Sequence, residues 1–114
     1  MLQAAFIRGY FDGDGSISDN FEINSLYKTM VSIVGFESNM MKFKEFLNHV
    51  GINATYRLDS DQSQYTSGLP FGAIVFQNKL ERYKFLKFIY PETATVYLDR
   101  KYVLAMKYIK LFDL

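Results

Sequence analysis

The stretch FIRGYFDGDGSI, residues 6–17, decides the fold of this chain. Ahead of its two aspartates, apolar side chains recur at the spacing of one helix face, and a glycine follows where such a helix would stop. The pattern predicts a short helix over residues 2–13, whose apolar positions are Phe6, Ile7, Tyr10 and Phe11.

Small residues occupy another side of the same predicted helix. Ala5, Gly9 and Gly13 lie at i, i+4 and i+8, and such a stripe lets a second backbone approach closely. Spacing alone leaves two interpretations open: the neighbour is another part of the same chain, or it is a second copy of this helix. The stripe is therefore a candidate dimer contact.

Two carboxylates, Asp12 and Asp14, end the predicted helix, where the helix dipole is negative. Each is unfavourable there by roughly 0.3–1 kcal/mol unless a cation offsets it. The alternatives are a solvated D-G-D-G turn and a cation site. An EF-hand loop is excluded, since Ile17 stands at its glycine position and Ile23 at its glutamate position. The glycines do not fit a phosphate-binding loop either.

The composition narrows the classes of protein further. A length of 114 residues predicts one domain, residues 1–114, and excludes a TIM barrel or a full Rossmann enzyme. The absence of cysteine excludes disulfides, thiolate nucleophiles and cysteine zinc sites, and the single histidine, His49, excludes a histidine cluster. Any metal must then be bound by oxygen ligands. The formal net charge of +1 neither indicates nor excludes a nucleic-acid partner.

Nothing in the sequence indicates a membrane partner. The longest stretch without Asp, Glu, Lys or Arg, residues 62–78, is rich in Gln, Ser, Thr, Gly and Pro. The N-terminus lacks the basic start and apolar run of a signal peptide. We therefore expect no membrane span, and a cytoplasmic location, nucleoid-associated in a bacterium, is the default expectation.

Strand and helix patterns alternate after residue 15. Alternating polar and apolar residues predict strands over residues 16–25 and 53–59. The β-branched segment 28–36, whose two faces are less cleanly divided, and the segment 69–77 are predicted to pair with them, which gives two β-hairpins. Helical periodicity predicts helices over residues 38–50, with Ser38 as N-cap, over 80–90, and over 97–112. This order predicts an α+β domain with one four-stranded antiparallel sheet, helices on one face and the other face bare.

The segment IRGYFDGDG, residues 7–15, resembles the signature of the LAGLIDADG homing endonucleases. It departs from that signature at Arg8, which stands in place of alanine and which we expect on the helix flank, and at Tyr10 and Phe11, which replace Leu and Ile. Later segments, IVGF, FLKFIY and TVYLDRKY, also resemble the single-motif members. The signature residues that the chain retains are Gly9, Asp12, Asp14 and Gly15.

The resemblance implies an αββαββα unit whose sheet forms a saddle over the DNA major groove. Members of that family cut both DNA strands by metal-dependent phosphodiester hydrolysis. With one motif per chain, the resemblance implies a homodimer in which the opening helices pack through Ala5, Gly9 and Gly13. Two-fold symmetry then predicts a palindromic or pseudopalindromic target.

The resemblance also implies roles for individual residues. By position, Asp14 matches the metal-binding acid, the Gly13 carbonyl is an expected further ligand, and Asp12 is expected to support the site. Hard oxygen ligands suit Mg²⁺ or a similar ion such as Mn²⁺, and we expect a metal-activated water as the attacking group. Arg100 and Lys101 match the family's basic region near the scissile phosphate, and Lys101 is the preferred catalytic candidate of the two. His49, which lies on a predicted helix, is expected at the surface or the edge of the core.

The bare sheet face is where contacts with DNA bases are expected. Arg can read guanine and Asn or Gln can read adenine in the major groove, although a solvated sheet face has the same pattern. The candidates are Ser16, Ser18, Asn20, Glu22, Asn24, Lys28, Asn53, Thr55, Arg57, Asp59 and Gln77.

Three hypotheses for the function follow. The first is a site-specific endonuclease for double-stranded DNA. The second is a non-cleaving DNA-binding or regulatory domain of the same type, favoured by the near-neutral charge and by Asp99, which stands where the family sometimes has lysine. The third is a protein-interaction domain whose D-G-D-G turn has no ligand, and it predicts no salt-dependent affinity for DNA.

Overall fold

The fold combines helices with a small sheet. The computed structural model describes residues 4–17, 30–58, 70–92, 94 and 97–114. Within these residues the helices are α1 (Ala4–Asp14), α2 (Glu37–His49), α3 (Lys79–Ile89) and α4 (Asp99–Phe112). The strands are β1 (Gly15–Ile17), β2 (Val31–Phe36), β3 (Thr55–Leu58) and β4 (Phe71–Val75). In the described part of the chain, no helix has both the length and the apolar character needed to cross a membrane.

The four strands form one antiparallel sheet in the order β1-β2-β4-β3. The pairing of β1 with β2 and of β3 with β4 is the pairing predicted for the two hairpins, whereas residues 18–29 and 59–69 of those hairpins lie outside the described residues. At the centre of the sheet β2 pairs with β4, and Ile33 lies opposite Ile74. The predicted α+β class and four-stranded antiparallel sheet are therefore confirmed.

One face of the sheet is covered and the other is open. Ile33 and Ile74 are fully buried on the covered face, where helices α1 and α2 pack. A Cβ atom on Gly35 would come within 2.5 Å of Tyr10 Oη from α1 and 3.0 Å of Met40 Cε from α2. Glycine therefore allows these helices to approach the sheet closely. On the opposite face Val34 stays 38% exposed, as the predicted bare face requires.

Two predictions about helix starts are corrected by the structure. Helix α2 begins at Glu37, directly after β2, and its N-cap Phe36 makes no side-chain hydrogen bond, so Ser38 is not the cap. The reason lies in the sheet, since Glu37 N donates to Pro70 O at 3.0 Å and prolongs the strand pairing up to the helix. Helix α4 begins at Asp99, two residues later than the periodicity predicts.

The surroundings of α1 also differ from the prediction in two places. Arg8 is buried rather than on the flank, and its Nη1 donates to Ile89 O at 2.8 Å. Burial of the guanidinium is tolerated because it satisfies a carbonyl at the end of α3. Phe6 is 59% exposed, whereas Ile7 and Phe11 are fully buried in the core. The side of α1 that packs inward is thus narrower than the apolar pattern indicates.

Candidate metal and DNA site at the end of the first helix

The end of α1 runs into β1 without a connecting loop. The ring of Phe11 lies against Gly15, and a Cβ atom there would also come within 2.6 Å of Phe11 O. Any larger residue at position 15 would push the strand away from the helix. The closing glycine of the signature is therefore a packing requirement, and it fixes Asp14 at the junction.

Lys101 from α4 caps the end of α1. Its Nζ donates to the carbonyl oxygens of Phe11 at 2.7 Å, Asp12 at 2.9 Å and Gly15 at 2.6 Å. An ammonium group has three donors, and these bonds use all of them. The side chain is 6% exposed, and burial, followed by the positive charge of Arg100, lowers the pKa of Lys101. Lys101, which the resemblance implies to be catalytic, thus donates hydrogen bonds to backbone carbonyls of the signature.

Both carboxylate oxygens of Asp12 accept hydrogen bonds from the protein. One oxygen accepts a short hydrogen bond from the hydroxyl of Tyr90, and the other accepts one from Leu98 N at 2.8 Å. Burial and this hydrogen bond to Asp12 raise the pKa of the Tyr90 hydroxyl far above its usual value. Asp12 therefore ties the end of α1 to the end of α3 and the start of α4. These contacts are those that a supporting role requires.

Asp14 has the opposite surroundings. It is exposed, and among the described residues no hydrogen bond or ion pair engages its carboxylate. Its negative charge is still felt nearby, since burial and then Asp14 raise the pKa of Tyr10. The carboxylate also partly opposes the lowering of the Lys101 pKa. Of the two signature acids, Asp14 is the one available to a ligand.

The oxygen donors that the described residues place at this end of α1 fit a hard divalent cation, although they are few. Asp14 offers its carboxylate, and the carbonyl of Gly13 is not among the three that Lys101 binds. Within the described residues, no three His, Cys, Asp or Glu side chains are grouped so that they could hold a metal. Mg²⁺ is commonly bound by one or two carboxylates, water and substrate phosphates. Water, a substrate phosphate or further carboxylates would complete the ligand set.

A polar pocket adjoins the Lys101 cap. It has a volume of about 260 Å³ and lies between β1 and the first turns of α4, with Ser16 and Arg100 among its lining residues. Arg100 is exposed, unlike the neighbouring Lys101. Of the two predicted basic residues, Lys101 is therefore buried and bonded to backbone carbonyls, whereas Arg100 is exposed beside the pocket.

The open sheet face holds part of the predicted DNA-contact set. Thr55 and Arg57 share this face because they lie opposite Val75 and Ala73 of β4, and Arg57 is exposed. Asn53, whose backbone N donates to Glu81 Oε1 at 2.7 Å, is exposed near this edge. Ser16 and Gln77 are exposed as well. The remaining candidates lie outside the described residues: Ser18, Asn20, Glu22, Asn24, Lys28 and Asp59.

The small-residue stripe of α1 is open. Ala5, Gly9 and Gly13 are exposed, and a Cβ atom on either glycine would meet no neighbouring atom of the chain within 4 Å. Among the described residues no other element of the chain packs against these two glycines, so the stripe can accommodate a second helix. His49 is exposed at the end of α2, far along the chain from these residues.

Sequence patterns miss the contacts that hold this site together. Tyr90, Leu98 and Lys101 lie between 78 and 90 positions away from the α1 atoms they bind. No local spacing indicates such partners. The one available signal is chemical, since a helix end with free carbonyls attracts a cation and Lys101 lies in the basic region that the resemblance to the family indicates.

A comparison with protein-family models matches residues 1–90 to the model described as a LAGLIDADG-like domain. The matched range includes α1, the sheet and α3, and it ends at Tyr90, the partner of Asp12. A comparison with curated proteins finds no match. The signature at the end of α1, the antiparallel sheet and the family match agree, and the chain belongs to the LAGLIDADG homing endonuclease family, whose members bind DNA and are generally nucleases.

Proposed function

We propose that this chain is a site-specific endonuclease for double-stranded DNA that works as a homodimer with a divalent cation, Mg²⁺ or Mn²⁺. The observation on which the proposal rests is that the two acids, Asp12 and Asp14, have different surroundings. Asp14 is exposed and unengaged among the described residues, while Asp12 accepts hydrogen bonds from Tyr90 and Leu98 that hold the helix end in place.

The proposed chemistry assigns a task to each group at the end of α1. Asp14 and the Gly13 carbonyl would hold the cation, which supplies charge neutralisation at the phosphate and lowers the pKa of a water. Lys101 keeps the backbone of the signature in position through its three carbonyl contacts. Arg100 lines the adjoining pocket and would contact a DNA phosphate.

A homodimer accounts for two features together. The open stripe of Ala5, Gly9 and Gly13 allows two copies of α1 to approach closely. Such packing would bring the Asp14 carboxylates of the two chains toward one another, which would add ligands to the few that the described residues of one chain offer. Two sites related by two-fold symmetry suit the cleavage of both DNA strands at a palindromic target.

Selection from a random duplex pool tests the proposal. The protein is incubated with the pool in Ca²⁺, the retained duplexes are sequenced, and the consensus duplex is then incubated with Mg²⁺. We expect a palindromic or pseudopalindromic consensus and a double-strand break within it. Failure to enrich any sequence at low salt contradicts the proposal.

A non-cleaving DNA-binding domain is the second candidate function. The engagement of all three Lys101 donors by backbone carbonyls favours it, because the lysine is then unavailable to a phosphate. Asp99, exposed at the start of α4, adds a negative charge near the same place. This candidate predicts the same selected consensus but no cleavage in Mg²⁺ or Mn²⁺.

A further inference from the structure

The open sheet face carries an apolar row that lies between the aromatic pair Phe36–Phe71 and a row that contains Ser32 and Thr55. In the strand register Val34 lies opposite Ala73, and Ala73 lies opposite Arg57. Residues directly opposite each other on paired strands project from the same face. Val34 is 38% exposed, Ala73 is half-buried and Arg57 is exposed. The row therefore presents two small apolar groups followed by one cation.

The base edges of the major groove offer a matching pattern. Thymine is the one base that shows an apolar group there, its C5 methyl, and guanine shows two acceptors that suit arginine. Neighbouring strands lie about 4.8 Å apart, and successive base pairs are separated by about 3.4 Å. Side chains on adjacent strands can therefore reach neighbouring base pairs. Val34, Ala73 and Arg57 lie on three adjacent strands.

We propose that Val34 and Ala73 select thymine by contact with its C5 methyl group, and that Arg57 in the same row contacts a nearby guanine. The inference rests on the proposed function, because it identifies bases within the DNA target. DNA suits the row because the exposed cation at its end complements both the negative phosphates and the acceptors of guanine. The apolar residues of the next row, Phe36 and Phe71, already pack edge to face against each other at 6.0 Å between centroids.

Replacement of thymine by deoxyuridine tests the contact directly, since it removes the methyl group and keeps the Watson–Crick edge. Each thymine of the selected duplex is replaced in turn, and Kd is measured in Ca²⁺ for the wild type and for Val34→Thr. Threonine keeps the shape of valine and places a hydroxyl at the contact. We expect at least one replacement to weaken wild-type binding about fourfold, the value for one buried apolar carbon, and to have little effect on Val34→Thr.

The control is Val103→Thr, the same change at a 61% exposed position on α4. This variant should keep the wild-type sensitivity to deoxyuridine. Equal losses in the wild type and in Val34→Thr, or a consensus without thymine, overturn the inference while DNA binding stands. Failure to enrich any duplex overturns the proposed function and this inference together.

Discussion

At the residue scale, the two acids of the D-G-D-G segment are distinguished only by their partners. The sequence identifies both Asp12 and Asp14, because two carboxylates at a helix C-terminus need an explanation. The local sequence does not show which acid has which role, because the partners that distinguish Asp12 are distant. Asp12 accepts hydrogen bonds from Tyr90 and Leu98, which are 78 and 86 positions away. Family resemblance separated the two roles, and the contacts of Asp12 agree with that separation.

The Asp12–Tyr90 hydrogen bond makes a prediction about alkaline pH. The folded pKa of Tyr90 is raised, so its contribution to stability is complete below about pH 10, the ordinary tyrosine value. Above that pH the unfolded chain ionises first, and the free energy of unfolding should fall. Tyr90→Phe should lower this free energy by about 1 kcal/mol at pH 8 and reduce the alkaline slope by up to about 1.4 kcal/mol per pH unit.

Urea unfolding between pH 8 and pH 11 measures both effects. The wild type should lose stability more steeply with pH than Tyr90→Phe, because phenylalanine has no proton to release. Parallel alkaline slopes for the two proteins would contradict the role given to the Tyr90 hydroxyl.

At the element scale, periodicity identifies every helix and strand in the described residues, but the element boundaries depend on distant contacts. The start of α2 is shifted because Glu37 N pairs with Pro70 O. Arg8 is buried because its guanidinium reaches Ile89 O at the end of α3. Neither contact has a signal in the nearby sequence. The end of α1 is likewise completed by Lys101 from α4.

The cap that Lys101 forms predicts a large loss of stability on its removal. Lys101→Met leaves three carbonyls without their donor, and the free energy of unfolding should fall by about 2–3 kcal/mol. Arg100→Met, the matched change at the neighbouring exposed cation, should alter it by less than about 0.5 kcal/mol. Urea denaturation at neutral pH compares the two variants. Similar stabilities for both would show that Lys101 is not the cap.

At the scale of the whole molecule, the fold class follows from the order of elements and from the polar sides of the strands. The open face is only partly polar, because Val34 and Ala73 occupy its middle row. Alternation in the sequence did not separate the two faces of β2, since its apolar residues occupy both. Within the described part of the chain, the glycines of the open stripe on α1 have no neighbour from another element.

A homodimer through α1 predicts a specific response to substitution at Gly9. A Cβ atom there meets no other element of the described chain within 4 Å, so Gly9→Leu should fold and should gain up to about 1 kcal/mol in helix propensity. The same side chain would separate two α1 helices, and sedimentation equilibrium should show a monomer in place of the wild-type dimer. Glu45→Leu, which adds leucine at an exposed position of α2, should remain dimeric. A dimeric Gly9→Leu would contradict this interface.

The DNA-cleavage activity of the Asp14→Asn variant tests most directly the central claim, which is that Asp14 holds the cation needed for cleavage. The substitution keeps the size of the side chain and removes its charge, while Asp113→Asn makes the same change at an exposed position beyond α4. We expect the Asp14→Asn variant to bind the selected duplex in Ca²⁺ as the wild type does. Its rate of Mg²⁺-dependent double-strand cleavage should fall more than about a hundredfold, which exceeds the loss typical of groups that only support a metal ligand. Asp113→Asn should cleave normally. An Asp14→Asn protein that cuts both strands at the wild-type rate would contradict the account.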